Sequence, residues 1–330
     1  MSVRLFFAIL LLNISPFLFG QTNTTINISN KNNDSSFYSI CQINNNEFWI
    51  GGENGILFRC DSNANISRSN LNTEGCTILK MVKQDPFVFM ITDSQVIFRY
   101  HIPSSKLEKF TMTGFRKKCF YDIAFLPNGK ILLCGGNKQV ARVKKCIPYG
   151  FIAETDTSLN QIKTTWKNAR KFVWSLTHEN NIIYASTFNG FNSRVIQKSI
   201  NGGWKNKEKI KGIAYRINAD DNGISAFGAE NMKFRKNGIL YENSKTQILR
   251  SSGCIWNRKC DEQKTFFVSN NGDLILKDKS HNKIEKTALL KGISFYDLEK
   301  ISSNKWMIVG HGKTIIFRDL NRETLIKNTE

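Results

Sequence analysis

One phrase recurs along this chain, and the recurrence limits the fold more than any other feature. "VGHGKTIIFRDL", Val309 to Leu320, echoes "GGENGILFRCD", Gly51 to Asp61, and "VIFRYH", Val96 to His101. Used as a probe, the phrase finds seven similar short runs. They begin at Ile56, Val96, Phe151, Val195, Ile239, Leu274 and Ile315, at spacings of 40, 55, 44, 44, 35 and 41 residues. Upstream of each lies a second run that often ends in Gly or another small residue, as in "FWIGG", "ILLCGG" and "ISAFGA". Upstream again lies a third, which carries an aromatic in six copies: Tyr38, Tyr121, Trp174, Tyr215, Trp256 and Tyr296. The second copy has Ile78 nearby instead. Downstream comes a more polar run, such as "KLEKFTM", "QIKTTWKN" or "KIEKTALL".

Each unit is therefore four short strands in about 42 residues, joined by Asn- and Gly-rich turns such as "NNNE", "PNGK" and "SNNG" that mark hairpins. No sustained helical period runs through the chain. Four strands at this period match the blade of a β-propeller. Seven units predict an all-β, seven-bladed β-propeller of four-stranded antiparallel blades over residues 37–330, with blades at about 37–74, 75–114, 115–169, 170–210, 211–252, 253–291 and 292–330. Paired β-sandwiches would not repeat one aromatic so regularly, and a β-helix would have a shorter period. The six aromatics are expected to pack structurally between neighbouring blades. A ring that stacks a ligand is the sharper alternative.

The ends of the chain carry further signals. "MSVRLFFAILLLNISPFLFG" has one early Arg4, an apolar run from Leu5 to Leu12, then Pro16 and Gly20. That layout predicts a signal peptide over residues 1–20, cleaved before Gln21. The apolar run is short of the roughly 20 residues that a membrane anchor needs. An exported protein, periplasmic or extracellular, is expected, without a transmembrane span after cleavage. Residues 21–36 read as a polar lead-in. Within it, "TTINIS" alternates and could pair with the last blade as a closing strand; closure by "ETLIKN" alone competes with it.

Export makes the charge informative. The net charge is +20, which favours anionic partners: an acidic protein, or an anionic envelope or glycan surface. Nucleic acid suits the charge but not the compartment. From Ser105 to Arg250 there are 26 Lys and Arg against 10 Asp and Glu, so most of the excess lies in the second to fifth blades. The eight cysteines are permitted to pair in this compartment. With four His and no CxxC pair, neither a metal site nor a cofactor is expected.

"ISFYDLEKISSNKWMIVGHGKTIIFRD" resembles a blade of the photosystem II assembly and stability factor-like propellers, and "EFWIGGENGILFRCD" and "TFFVSNNGDLILKD" fit the same outline. "SINGGW", Ser199 to Trp204, is similar to a worn BNR, or Asp-box, turn in which Asn201 replaces the Asp. The resemblance implies a binding scaffold or assembly helper whose ligand face carries the loop between the second and third strands.

On that face the third unit holds an insertion, "NKQVARVKKCIPY", Asn137 to Tyr149, with Lys138, Arg142, Lys144 and Lys145 and no acid. Long loops on rigid scaffolds tend to carry function. With Arg116, Lys117 and Lys118 just upstream, these are the candidate binding residues. A disulfide from Cys146 to Cys119 or Cys134 would staple the loop. Cys254 and Cys260 lie too far apart on one strand to pair.

Catalysis is left open, and the sequence leans against it. A sialidase-like site needs an arginine cluster, a Tyr–Glu pair and an acid, and no such set falls at matching strand starts. Asp122 and Asp297, in "FYDI" and "FYDL", are expected to line the channel, but their shared context reads as part of the repeat. His101, His178, His281 and His311 are scattered, and His311, the best lone candidate, reads as structural. The sequence therefore predicts a secreted, monomeric, non-enzymatic propeller scaffold that docks an acidic partner through a basic face. A carbohydrate-binding or glycoside-cleaving propeller is the alternative.

Overall fold

The structure is a computed structural model that describes residues 24–27, 35–115, 118–137, 149–220, 223–231 and 236–320. Seven four-stranded antiparallel sheets form the ring, so the chain is an all-β seven-bladed propeller. A four-residue strand β1 (Thr24–Asn27) precedes the first blade. That blade is β2 (Phe37–Asn44), β3 (Glu47–Gly52), β4 (Leu57–Asp61) and β5 (Ile66–Arg68). The second is β6 (Ile78–Gln84), β7 (Phe87–Thr92), β8 (Val96–His101) and β9 (Lys106–Thr111). The third is β10 (Lys118–Phe125), β11 (Ile131–Asn137), β12 (Gly150–Thr155) and β13 (Lys163–Asn168). The fourth is β14 (Phe172–Glu179), β15 (Ile182–Phe188), β16 (Ser193–Ser199) and β17 (Lys205–Ile210). The fifth is β18 (Ile213–Asp220), β19 (Gly223–Ala229), β20 (Gly238–Glu242) and β21 (Lys245–Leu249). The sixth is β22 (Ile255–Cys260), β23 (Lys264–Ser269), β24 (Asp273–Asp278) and β25 (Ile284–Ala288). The seventh is β26 (Phe295–Lys300), β27 (Lys305–Gly310) and β28 (Thr314–Asp319).

Closure decides between the two expected outer strands. β1 runs antiparallel to β28, with Thr24 opposite Phe317 and Asn27 opposite Thr314. The seventh blade is thus β1-β28-β27-β26, built from both ends of the chain. "ETLIKN" lies outside the described residues, and the edge it would have covered is taken by "TTIN". At the same seam, the Lys313 N–H donates to Ser35 O at 2.9 Å. His311 has a structural partner there: its Nδ1 lies 3.0 Å from Ser36 Oγ.

The apolar residues do not fill one central core. They form clusters between neighbouring blades: Trp49, Val88 and Phe98 between the first and second, Phe89, Phe120 and Phe151 between the second and third, and Phe37, Phe48 and Phe317 between the first and seventh. Burial of such faces is what makes a single blade unstable by itself and a closed ring stable.

The innermost strand of every blade carries a β-bulge, and the bulged residue is the recurrent aromatic. In the second blade the shift falls between Ile78 and Lys80. The equivalent residue is therefore Leu79, not Ile78, because the bulge adds one residue that spacing alone does not reveal. The bulge also accounts for the small residue that ends the second strand. A Cβ at Gly52, Gly135, Gly228 or Gly310 would lie 2.2, 2.0, 1.9 or 2.2 Å from a carbonyl oxygen of the innermost strand or of the residue just before it.

The echoed phrases share one further detail. Gly52 and Gly310 each lead into a 3-10 turn, whose middle residues Asn54 and Gly312 sit at φ 56 and 65. Turns after the third strand show a second echo. Asp61 accepts from the Asn63 and Asn65 N–H groups at 2.9 and 2.8 Å. Asp156 accepts from the Ser158 N–H at 2.8 Å, and Asp278 from the Ser280 and His281 N–H groups at 2.8 and 2.9 Å. Side-chain bonds from Asn65, Ser158 and Ser280, helped by these backbone donors, hold the three carboxyls below the usual range.

Candidate functional site: the channel and its mouth

The bulged aromatics come together at one end of the central channel. Going round the ring, Tyr121, Trp174, Tyr215, Trp256, Tyr296 and Tyr38 touch in succession, with centroid separations of 4.9, 5.3, 4.8, 5.8 and 4.9 Å. The rings are tilted or edge-on to one another, the arrangements their quadrupoles favour. Leu79 stands at the one non-aromatic position. The Tyr121 hydroxyl donates to Asn137 O at 2.7 Å and the Tyr38 hydroxyl donates to Glu53. Burial and the facing Glu53 carboxylate raise the Tyr38 phenol far above its ordinary value.

One residue past each bulge sits a polar side chain: Ser39, Lys80, Asp122, Ser175, Arg216, Asn257 and Asp297. At four of the seven positions that side chain takes the N–H of the next blade's innermost strand; Asn257 makes no such bond, and the Leu298 N–H it would have taken goes to Asp297. Ser39 Oγ accepts from Met81 at 2.9 Å, and Asp122 Oδ2 from Leu176 at 2.9 Å. Ser175 Oγ accepts from Ile217 at 3.3 Å, and Asp297 Oδ2 from Ile40 at 2.7 Å. These bonds latch one blade to the next. Lys80 and Arg216 have no acceptor to offer. The N–H groups they would have served turn instead to their own blades: Ile123 donates to Asp122 at 2.9 Å and Arg258 to Asn257 Oδ1 at 2.9 Å.

The two exceptional cations converge on one carboxylate. Lys80 Nζ donates to Asp122 Oδ1, and Arg216 Nη1 lies 3.4 Å from Asp122 Oδ2. Ser175 Oγ donates to the same Oδ2 at 2.8 Å. Asp122 is only 1% exposed, Lys80 and Arg216 27% and 24%. Burial alone would raise the Asp122 carboxyl, but Lys80 and Arg216 outweigh it and hold the group low. Asp297 has no such pair. It accepts from the Leu298 N–H at 2.8 Å and from Asn257 Nδ2, and burial raises its carboxyl in spite of Lys259 and the Ile40 N–H. Lys259 itself binds Glu299 at 2.8 Å.

All these groups, with Thr177 and His178, line one cavity of about 610 Å³ in the channel. Asp122 and Asp297 thus do face the channel, as their shared context implied. Their environments differ: two cations and a hydroxyl hold Asp122 ionised, while burial favours the protonated form of Asp297.

Sequence reasoning missed Lys80, Arg216, Lys259 and Glu299. A signal was available, since aligning the seven units on the aromatic puts the post-bulge residues in one column. Of the expected binding residues, Lys138, Arg142, Lys144, Lys145, Arg116 and Lys117 lie outside the described residues, as does Cys146 with its expected partner bond. Lys118 is described: its ammonium sits 3.8 Å from the centre of the Tyr149 ring. Cys134 is a fully buried thiol and not part of a disulfide among the described residues. His101 contacts Ser104 Oγ at 2.7 Å, and His281 contacts Ser280 Oγ at 2.8 Å.

Around the aromatic mouth, the loops leading into the fourth to seventh blades carry Arg170 and Lys171, Lys211, Arg250 and Lys291. Four of the five are exposed and Lys171 is half-buried, and none has a carboxylate partner among the described residues. Asp61, Asp156, Asp261 and Asp278 sit in turns at the opposite ends of their strands.

No protein-family model and no curated protein sequence matches the chain. Solved structures do. YCF48 bound to a D1 peptide is 11% identical with a TM-score of 0.66, over 92% of this chain and 97% of that one. Virginiamycin B lyase from Staphylococcus aureus is 12% identical with a TM-score of 0.69, over 90% and 99%. YCF48 from Cyanidioschyzon merolae is 11% identical with a TM-score of 0.60, over 91% and 99%. The chain is a seven-bladed β-propeller similar in fold to YCF48 and to virginiamycin B lyase.

Proposed function

We propose that this chain is an exported, non-enzymatic scaffold that holds an acidic segment of a protein partner against the basic face around the channel mouth. The observation that carries the reading is the arc of Arg170, Lys171, Lys211, Arg250 and Lys291, which no carboxylate neutralises among the described residues. An arc of one sign beside stacked aromatic rings attracts an anionic chain at long range and offers it flat apolar contacts at short range. A structure of similar fold with a peptide bound agrees with this use of the scaffold. Export rests on the leader-like segment over residues 1–20.

Capture of the partner from the native envelope, at low and high salt, tests the reading. Interactions between exposed charges are screened beyond about 8 Å at physiological ionic strength, so capture should fade as salt rises. The triple change Lys171→Glu, Lys211→Glu and Arg250→Glu should abolish capture. Salt-independent capture, or capture unchanged in the triple variant, would remove the proposal.

A further inference from the structure

The row of post-bulge residues is where the propeller departs from its own rule. Acceptors at four of these positions latch the next blade, whereas the second and fifth blades place there Lys80 and Arg216, which have no acceptor to offer. Positions where a fold departs from its own local pattern are places to look for function. Both cations reach Asp122. One buried carboxylate against an ammonium and a guanidinium leaves an excess of one positive charge, with both cations partly open to the cavity.

Two residues farther down the innermost strands of the sixth and seventh blades, the sign is reversed. There Lys259 binds Glu299 at 2.8 Å, and Asp297, whose bonded partners all donate to it, stands in the row above. Two carboxyl groups thus stand against one ammonium. Both clusters line the same cavity of about 610 Å³, together with the hydroxyls of Ser175 and Thr177. In a channel walled by low-dielectric strands, such charges act more strongly than on an open surface.

We propose that the channel is a binding site for a small zwitterion of the amino-acid or short-peptide class. The ligand carboxylate lies against Lys80 and Arg216, and its ammonium lies against Glu299. The cavity is within the size range of small-molecule sites. A simple anion meets only half of this arrangement, and so does a simple amine. The site is separate from the basic face outside the mouth, so either one can fail without the other.

Calorimetric titration of the purified protein at low ionic strength, with L-glutamine, the dipeptide Ala-Ala, propionate and ethylamine, tests the proposal. One zwitterion should bind saturably with one site, at least about tenfold more tightly than propionate or ethylamine, a difference of about 1.4 kcal/mol. Whichever zwitterion binds more tightly distinguishes a free amino acid from a peptide. Lys80→Met and Glu299→Gln should each weaken it at least tenfold while near-ultraviolet circular dichroism stays that of the wild type. Should Lys80→Met fail to fold, Arg216→Gln replaces it. Absence of binding by both zwitterions, propionate binding as tightly as L-glutamine, or unchanged affinity in the folded variants would overturn the proposal.

Discussion

Asp122 and Asp297 stand at the same step of the repeat, one residue past the bulged aromatic of the third and seventh blades, and both are almost wholly buried. Both latch the next blade through an N–H group of its innermost strand. Their carboxyls nevertheless shift in opposite directions. Burial raises both, and only Asp122 has Lys80 and Arg216 to reverse that effect. Backbone geometry fixes where the carboxylate sits, and residues on other blades fix its charge. The fold therefore supplies equivalent positions that local chemistry then makes unequal.

The comparison can be broken by removing each carboxylate in turn. Asp122→Ala should cost about 3–5 kcal/mol in urea denaturation, because it leaves two cations without their partner as well as the latch bonds. Asp297→Ala should cost less, about 1–3 kcal/mol, since Lys259 keeps Glu299 and the groups orphaned are N–H donors. Equal losses would mean that the cations do not distinguish the two sites. Lys80→Met should cost about 1.5–3 kcal/mol and move the Asp122 carboxyl back toward the ordinary range, readable by carboxyl carbon chemical shifts.

The smallest effect expected is in pH dependence, where the two sites should have opposite signs. Asp122 has a depressed folded value, so its contribution is present above the unfolded value of about 3.9 and is lost as pH falls through the folded one. Measured against Asp122→Asn, the wild type should lose stability as pH drops in that region. Asp297 has a raised folded value. Its protonated form is favoured by folding, so relative stability declines as pH rises from about 3.9 through the folded value. Measured against Asp297→Asn, the wild type should lose stability over that rise. Curves of the same sign would refute the assignment of opposite shifts.

The repeat was legible because every blade solves the same packing problem with the same residue types. The aromatic at the start of the innermost strand, the small residue ending the second strand and the Ile-rich third strand could all be read by spacing. Leu79 was misread as Ile78 because a bulge inserts a residue without changing composition. The row beneath the aromatics was harder to read. Ser39, Lys80, Arg216 and Asn257 are ordinary polar residues in isolation, and only their joint placement round one axis makes them a site. The insertion from Asn137 to Tyr149 drew attention because it interrupts the repeat. The channel charges interrupt it too, within a strand of normal length.

By itself, the sequence determined the number of blades, their four-strand composition and the basic character of the chain, since these follow from period, patterning and residue counts. Three things waited for tertiary structure. β1, not the C-terminal tail, occupies the edge of β28, because an edge takes whichever strand the closed ring brings to it. The aromatics form a continuous arc round the channel mouth, because the bulges aim them at one another. Lys80 and Arg216 share Asp122, although 42 and 94 residues separate them from it in the chain. The physical reason is common to all three: strand patterning is local, whereas ring closure sets distances that no local spacing encodes.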